Sequence, residues 1–142
     1  MPWGSFERIR LPVFGSNRLL MGHGLDVAFM TKVRVMYWKE VPVQIQAADE
    51  TSEISKPLHP RFQEGVDALA MFDGSAGKDD YLEAWEWGPY LDVEGDALQA
   101  ASTTAQRYNE GFPKDFVTRI RDIDRAGDRE PSPGSIDSWI QL

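Results

Sequence analysis

The sequence predicts an α+β domain in which a small antiparallel sheet carries about three helices, packed mainly on one face. Residues 33–47, VRVMYWKEVPVQIQA, alternate in two runs that are rich in β-branched and aromatic residues, as β-strands do. Three later segments have apolar residues at helical spacing between capping or Pro/Gly signals. Strands followed mainly by helices pack most simply as helices against one face of a sheet.

Length and composition indicate one globular domain. The chain has 142 residues, of which 42% are hydrophobic and 27% charged. It contains no cysteine, so its own residues form no disulfide, thiolate zinc site or cysteine-ligated iron–sulfur cluster. This composition fits a reducing compartment, and we expect a cytoplasmic protein. No apolar run approaches the roughly 18–20 residues of a membrane helix, so we expect no membrane association.

The charge disfavours nucleic acid as a partner. The net charge is -8, and all of the acidic excess follows residue 29. Such a surface repels phosphate backbones and anionic lipid. The carboxylates are most concentrated in residues 73–96, where Lys78 is the single basic residue. This acidic run consists of Asp73, Asp79, Asp80, Glu83, Glu86, Asp92, Glu94 and Asp96. A basic protein surface is the partner that this run favours.

The chain divides into three parts by pattern. Residues 1–29 have no regular hydrophobic period and read as an N-terminal extension, with Met30 as the start of the native domain. An ordered N-terminal arm lying over the domain is the alternative. Residues 30–127 form the α+β domain, and residues 128–142 are a Pro/Ser/Gly-rich tail.

The first two strands are predicted at Val33–Trp38 and Val41–Gln46. Lys39-Glu40 is not a favoured two-residue hairpin turn, so a wider connection is expected. Residues 48–57, ADETSEISKP, are predicted to be a polar loop.

The first helix is predicted over HPRFQEGVDALAMFDG, with Pro60 at its first position and Gly74 just past its end. Its apolar stripe consists of Phe62, Val66, Leu69 and Phe72. The following segment, YLEAWEWGPYLDVEG, is predicted to be strand, bend and strand, with Tyr81, Trp85 and Trp87 on one face. A short helix over residues 79–86 is the alternative.

Two further helices complete the pattern. Asp96 caps one, with Gln99 as its capping-box partner and Gly111 at its end. Its predicted stripe is Leu98, Ala101, Ala105 and Tyr108. Pro113 opens the last helix, which ends at Gly127 with the stripe Phe116, Ile120 and Ile123.

Candidate catalytic groups are few. His59 could act as a general base with carboxylates, the candidates being Asp79, Asp80, Glu83 and Glu86. The acidic run lacks the spacing of a calcium loop, and two histidines without cysteine predict no metal site. The stretch GSAGK lacks the spacing of a phosphate loop. We therefore expect no metal and no cofactor.

The aromatic residues give the best functional signal. Adjacent strand residues Tyr37 and Trp38 should point to opposite faces of the sheet, and only one face is covered by helices. Exposed tryptophan and tyrosine often mark protein interfaces. The candidate interface residues are Tyr37, Trp38, Trp85, Trp87 and Tyr90; filling of the core is the alternative role for these rings.

Four segments together resemble one family. RVMYWKEVPVQIQA, RFQEGVDALAMFDGSAG, YLEAWEWG and GFPKDF are similar to the small bacterial family labelled virulence factor, from about Met30 to about Gly127. The resemblance implies an accessory or docking role, because larger relatives join the domain to helical-repeat and iron–sulfur-scaffold-like segments. Small stand-alone versions imply a link to one-carbon or corrinoid metabolism, in which a partner would carry any metallocofactor.

Two functions therefore remain open. The first is a non-catalytic docking module that binds another protein through an aromatic sheet face beside the acidic run. The second is a small cytosolic enzyme or accessory factor in one-carbon, corrinoid or metallocofactor metabolism, with an aromatic-lined acidic cleft. An enzyme needs His59 and carboxylates to converge in a pocket, whereas a docking module needs an apolar patch with the carboxylates in water.

Overall fold

A computed structural model describes residues 30–141. The elements along the chain are β1 Met30–Trp38, β2 Val41–Ala48, β3 Glu53–Pro57, α1 Pro60–Asp73, α2 Asp79–Glu83, β4 Trp85–Trp87, β5 Leu91–Glu94, α3 Ala97–Gly111, α4 Phe116–Arg125 and a final 3₁₀ turn, Asp137–Trp139. The extension predicted for residues 1–29 lies outside this described range.

The strands form one antiparallel sheet in the order β3-β2-β1-β4, with β5 also paired to β1. β4 and β5 lie along the same edge of β1, opposite Met36–Trp38 and Met30–Val33 respectively. α3 packs across the strands, and α1 packs on β2 and on α4. The predicted α+β class, an antiparallel sheet with helices, is confirmed.

The β1–β2 connection differs from the prediction. It is a two-residue turn, with Trp38 opposite Val41 and an irregularity in the register beside Tyr37. Lys39 adopts a positive φ of 52°, which is unusual for a residue other than glycine. Its backbone N–H donates to Ala84 O at 3.1 Å and its Nζ to Asp73 at 2.6 Å. The expected wider connection was wrong because tertiary contacts hold this turn.

The predicted loop over residues 48–57 contains a strand. β3 pairs with β2 from Gln44 opposite Pro57 to Ala48 opposite Glu53. Only Ile54 of its five residues is partly buried. This strand therefore shows no alternation of apolar and polar residues, which is why the sequence pattern predicted a loop.

The segment after α1 combines both predicted alternatives. Residues Asp79–Glu83 form the short helix α2, so the strand expected at Tyr81 was wrong. Trp85–Trp87 and Leu91–Glu94 are strands, separated by the expected bend at Gly88-Pro89.

Helix signals were largely accurate. Gly74 ends α1 in the left-handed conformation, and Asp96 and Gln99 form the predicted capping box of α3. The buried face of α3 consists mainly of small residues: Ala97, Ala100, Ala101, Thr104, Ala105, Tyr108 and Gly111. Leu98 is 63% exposed, so its assignment to the stripe was wrong. The buried positions recur every three or four residues from Ala97, and Leu98 does not belong to that series.

α1 and α4 cross closely at a glycine. A Cβ on Gly65 would lie 2.7 Å from Cε2 of Phe116, so only glycine allows this approach. The Phe116 ring stacks on Phe62 at 5.5 Å between centroids. Arg61 donates to the carbonyls of Asn109, Phe112 and Pro113 at 2.9–3.2 Å, which satisfies the end of α3.

Residues 128–141 pack onto the domain. Ile136 is buried in the core, and Trp139 lies against Phe112 with 6.4 Å between ring centroids. The N–H of Gln141 donates to Gly111 O at 2.9 Å. The Pro/Ser/Gly-rich composition of this segment therefore accompanies an irregular but packed path.

Candidate functional site

His59 lies at the N-terminus of α1 in an open groove of about 540 Å³. We call this the His59 groove. Its apolar wall consists of Val43, Pro57, Leu58 and Pro60, and its polar lining of Gln44, Lys56, His59, Gln63 and Asn109. His59 Nδ1 accepts a hydrogen bond from the N–H of Arg61 at 3.0 Å, so this nitrogen serves as a helix cap and is not free to act as a base.

The four candidate catalytic carboxylates do not reach His59. Asp79, Asp80 and Glu83 belong to α2, and Glu86 belongs to β4. All four are exposed, and no described carboxylate lines the His59 groove. The predicted acid–base arrangement is therefore not assembled among the described residues.

The predicted interface aromatics occupy different environments. Tyr37 and Trp38 are buried and belong to the hydrophobic core. Trp85 and Trp87 are partly buried, and Tyr90 is exposed. The two adjacent rings of β1 therefore fill the interior rather than present themselves at the surface.

Trp38 and Trp85 form a base beneath α2. The Trp38 Nε1–H donates to Tyr81 O at 2.9 Å. The Tyr81 ring lies 5.8 Å from the Trp38 ring and 6.1 Å from the Trp85 ring, measured between centroids. This packing fixes the short helix, which lacks a side-chain cap of its own.

Trp87 and Tyr90 share one cation. The Arg34 guanidinium lies 3.9 Å from the centroid of the Trp87 ring and 4.9 Å from that of Tyr90. Its Nε donates to Gln46 Oε1 at 2.9 Å. The predicted interface residues therefore belong to two aromatic groups, one beneath α2 and one around Arg34.

An apolar cleft opens between α1 and α2. It has a volume of about 190 Å³ and is lined by Asp67, Ala70, Met71, Ala76, Gly77 and Tyr81. We call it the Met71 cleft. Met71 is 77% exposed, and Leu82, the neighbour of Tyr81 in α2, is 60% exposed. Sequence reasoning missed both residues, although Met71 falls outside the apolar stripe of α1 and its exposure could have been predicted.

One carboxylate lines this cleft, and three others belong to the adjoining helix α2. Asp67 lines it, and Asp79, Asp80 and Glu83 are exposed on the adjoining helix. Asp73 differs from them, since it accepts hydrogen bonds from Lys39 and Ser75 and forms an ion pair with Arg129. Although burial opposes the effect, the bonds from Lys39 and Ser75 lower the pKa of Asp73. Asp73 therefore links the end of α1 to Lys39 and Arg129. The exposed carboxylates make the surface potential around the cleft negative.

The deepest charge network involves Arg129. Its guanidinium donates to both oxygens of Glu40 at 2.8 Å and to Asp73 at 3.1 Å. The Glu40 and Arg129 side chains are 1% and 6% exposed. Although burial opposes it, hydrogen bonding to Glu40 raises the pKa of Arg129, which keeps the guanidinium charged. The network ties residues 128–141 to the β1–β2 turn.

Two tyrosines converge on one carboxylate in the same region. Tyr37 and Tyr108 donate to Asp137 Oδ2 at 2.6 Å and 2.7 Å, and their hydroxyls lie 3.2 Å apart. Burial, followed by the charge of Asp137, raises the pKa of Tyr108; burial is also the main cause of the raised pKa of Tyr37. Both rings are buried, so the two hydroxyl groups of this cluster lie within the core.

We expect the tyrosine cluster to make the fold sensitive to alkaline pH. Because the folded-state pKa values lie above that of an unfolded tyrosine, about 10, the stabilisation is complete below pH 10 and decreases above it. Urea unfolding of the wild type and of the double variant Tyr37→Phe/Tyr108→Phe between pH 8 and pH 11 would measure this. The wild type should lose stability more steeply; equal slopes would contradict a role of the tyrosine protons.

Two negative findings apply to the described residues. Within residues 30–141, no group of three or more histidines or carboxylates is arranged to hold a metal ion. In the same range, no helix has the length and apolar character needed to cross a bilayer.

Comparison with known proteins identifies one relationship. The model of the family described as "Virulence factor" matches residues 36–120, more than half of the chain. The match runs from the end of β1 to the middle of α4. It includes the aromatic group beneath α2, the Met71 cleft and the His59 groove, and it begins two residues after Arg34. Neither the curated proteins nor the solved structures contain a match.

Proposed function

Because the chain belongs to the virulence factor family, we propose that it acts within that family as a cytoplasmic, non-catalytic accessory module that docks on another protein. The docking surface consists of the Met71 cleft, the exposed Leu82 and the carboxylates of α2. The observation that carries this proposal is the exposure of Met71 and Leu82 beside four carboxylates.

The apolar part of the surface supports docking. Large apolar side chains exposed beside a cleft are common where proteins bind each other. Met71 is flexible and polarisable, so it adapts to the shape of an incoming side chain. α2 is supported from below by the Trp38 and Trp85 rings, which would limit the rearrangement that binding requires.

The charge of the surface specifies the chemistry of the partner. Asp67, Asp79, Asp80 and Glu83 favour lysine or arginine on the opposing surface. The fitting partner is therefore a protein that presents an apolar side chain flanked by basic residues. Because the rings of Tyr37 and Trp38 are buried, they would support the docking surface from the core and would not contact the partner.

The enzyme alternative has less support. It requires His59 and a carboxylate in one cleft, but the described lining of the His59 groove contains no carboxylate. The Nδ1 atom of His59 is already engaged with Arg61. No described feature favours a particular reaction over docking.

We expect Leu82→Glu to abolish capture of the partner, whereas Leu98→Glu leaves it intact. The two leucines undergo the same change and are similarly exposed, at 60% and 63%, but Leu98 lies on α3. The measurement is quantitative mass spectrometry of proteins retained from native lysate by the wild type and each variant. A protein kept by wild type and Leu98→Glu but lost with Leu82→Glu would then be purified for direct binding.

The purified partner should associate more slowly as salt rises, because ions screen the attraction between the carboxylates and a basic surface. Asp79→Lys/Asp80→Lys should slow association at low salt and flatten its salt dependence. Equal loss of binding in both leucine variants, or an association rate that does not change with salt, would overturn docking through this surface.

A further inference from the structure

The His59 groove has a donor-rich lining in an acidic protein. The net charge of the chain is -8, yet among the described residues that line this groove there is a lysine and no carboxylate. Its volume of about 540 Å³ lies within the range of small-molecule sites. This contrast separates the groove from the Met71 cleft.

The imidazole of His59 is held in one orientation. Its Nδ1 accepts from the backbone N–H of Arg61 at 3.0 Å, so the proton of the neutral ring resides on Nε2. No described acceptor bonds Nε2. The ring therefore offers an N–H to the groove whose direction is fixed by the start of α1.

Asn109 is oriented by the same segment. Its Oδ1 accepts from the backbone N–H of His59 at 2.8 Å, which leaves the amide nitrogen to donate. That nitrogen has no acceptor among residues 30–141. Gln63 differs, because its amide nitrogen already donates to Asp67 at 3.1 Å.

Lys56 adds a full positive charge. It is exposed on β3, and no described carboxylate lies within ion-pair distance of its Nζ. Together with His59 and Asn109 it gives the groove three donors, two of them oriented by backbone hydrogen bonds. Oriented donors bind an anion without the cost of ordering them first.

We propose that the His59 groove binds a small organic carboxylate, whose charged group is held by Lys56, His59 and Asn109 and whose apolar body lies along Val43, Leu58 and the two prolines. An apolar wall beside a cluster of donors matches an anion with a hydrocarbon part better than an inorganic ion. The site shares no lining residue with the Met71 cleft, and the inference does not rest on the proposed function.

Titration of the ¹⁵N-labelled protein with sodium hexanoate, followed by NMR, would test this binding. Hexanoate should shift the resonances of Lys56, His59 and Asn109, and hexanamide, which has the same chain without the charge, should not. Asn109→Asp should weaken binding at least about tenfold, because it replaces a donor by a repelling carboxylate while keeping the oxygen that accepts from His59.

A matched pair of charge reversals provides the control. Lys56→Glu removes the cation of the groove, whereas Lys114→Glu makes the same change at an exposed lysine outside it. Binding should be lost in the first variant and kept within about twofold in the second, less than 0.5 kcal/mol. Equal weakening by both, equal shifts with hexanamide, or no shift with hexanoate would overturn the proposal. The thermal midpoint of each variant would show that the fold is retained.

Discussion

Replacing Arg129 by alanine is expected to lower the free energy of unfolding by about 3–5 kcal/mol. The change leaves Glu40 buried, at 1% exposure, without the two hydrogen bonds that it accepts from the guanidinium. An uncompensated buried charge costs more than the pair contributes when intact. Asp73 is affected less, since Lys39 and Ser75 remain bonded to it. Urea unfolding at neutral pH would measure the loss.

Two further variants test whether the unpaired charge of Glu40, rather than the loss of any arginine, causes the loss of stability. Arg125→Ala removes an exposed ion pair with Asp122, in which the arginine side chain is 62% exposed, and should cost less than about 0.5 kcal/mol. Adding Glu40→Gln to Arg129→Ala removes the stranded charge and should restore part of the stability. If the double variant is no more stable than Arg129→Ala, the stranded charge is not the cause.

Trp38→Ala is expected to cost about 3–5 kcal/mol, the usual range for a fully buried tryptophan. The ring is 0% exposed, and its Nε1–H satisfies the carbonyl of Tyr81 in α2. Its removal leaves a cavity in the core and an unpaired carbonyl beneath the Met71 cleft. Loss of partner binding by this variant would follow from disorder of α2 rather than from a lost contact.

Trp87→Ala provides the matched comparison. Trp87 is partly buried and lies over Arg34 at 3.9 Å, so the same substitution should cost clearly less than at Trp38. Thermal and urea unfolding of both variants would decide. Equal losses of unfolding free energy in the two variants would show that burial of the ring does not govern stability here. A small loss in Trp38→Ala would indicate that the Trp38 ring is exposed in solution.

The sequence by itself determined those helix ends and strands whose signals lie within a few neighbouring residues. Pro60 and Gly74 mark the ends of α1, and Asp96 with Gln99 marks the start of α3, because capping depends on residues within one turn. Alternation in residues 33–47 predicted β1 and β2, because successive side chains of a strand point to opposite faces of the sheet. These elements led to the correct α+β class.

Features that depend on distant residues could not be predicted from the sequence. Lys39 keeps a positive φ in a tight turn because Asp73 and Ala84 bind it, and β3 forms on the edge of the sheet with almost no buried residue. Gly65 weakens a helix locally but permits the contact with Phe116. In each case a tertiary contact outweighs a local preference, which is about 1–2 kcal/mol for the left-handed Lys39 and about 1 kcal/mol for the helical Gly65.

The candidate site divides in the same way. Composition predicted an acidic, aromatic-rich domain, but aromatic rings suit a core and an interface equally well. Only the tertiary structure placed Tyr37 and Trp38 in the interior and left Met71 and Leu82 exposed beside the carboxylates. It also separated His59 from those carboxylates. The physical reason is that the exposure of a side chain depends on which elements pack over it, and that packing is set by residues far away in the sequence.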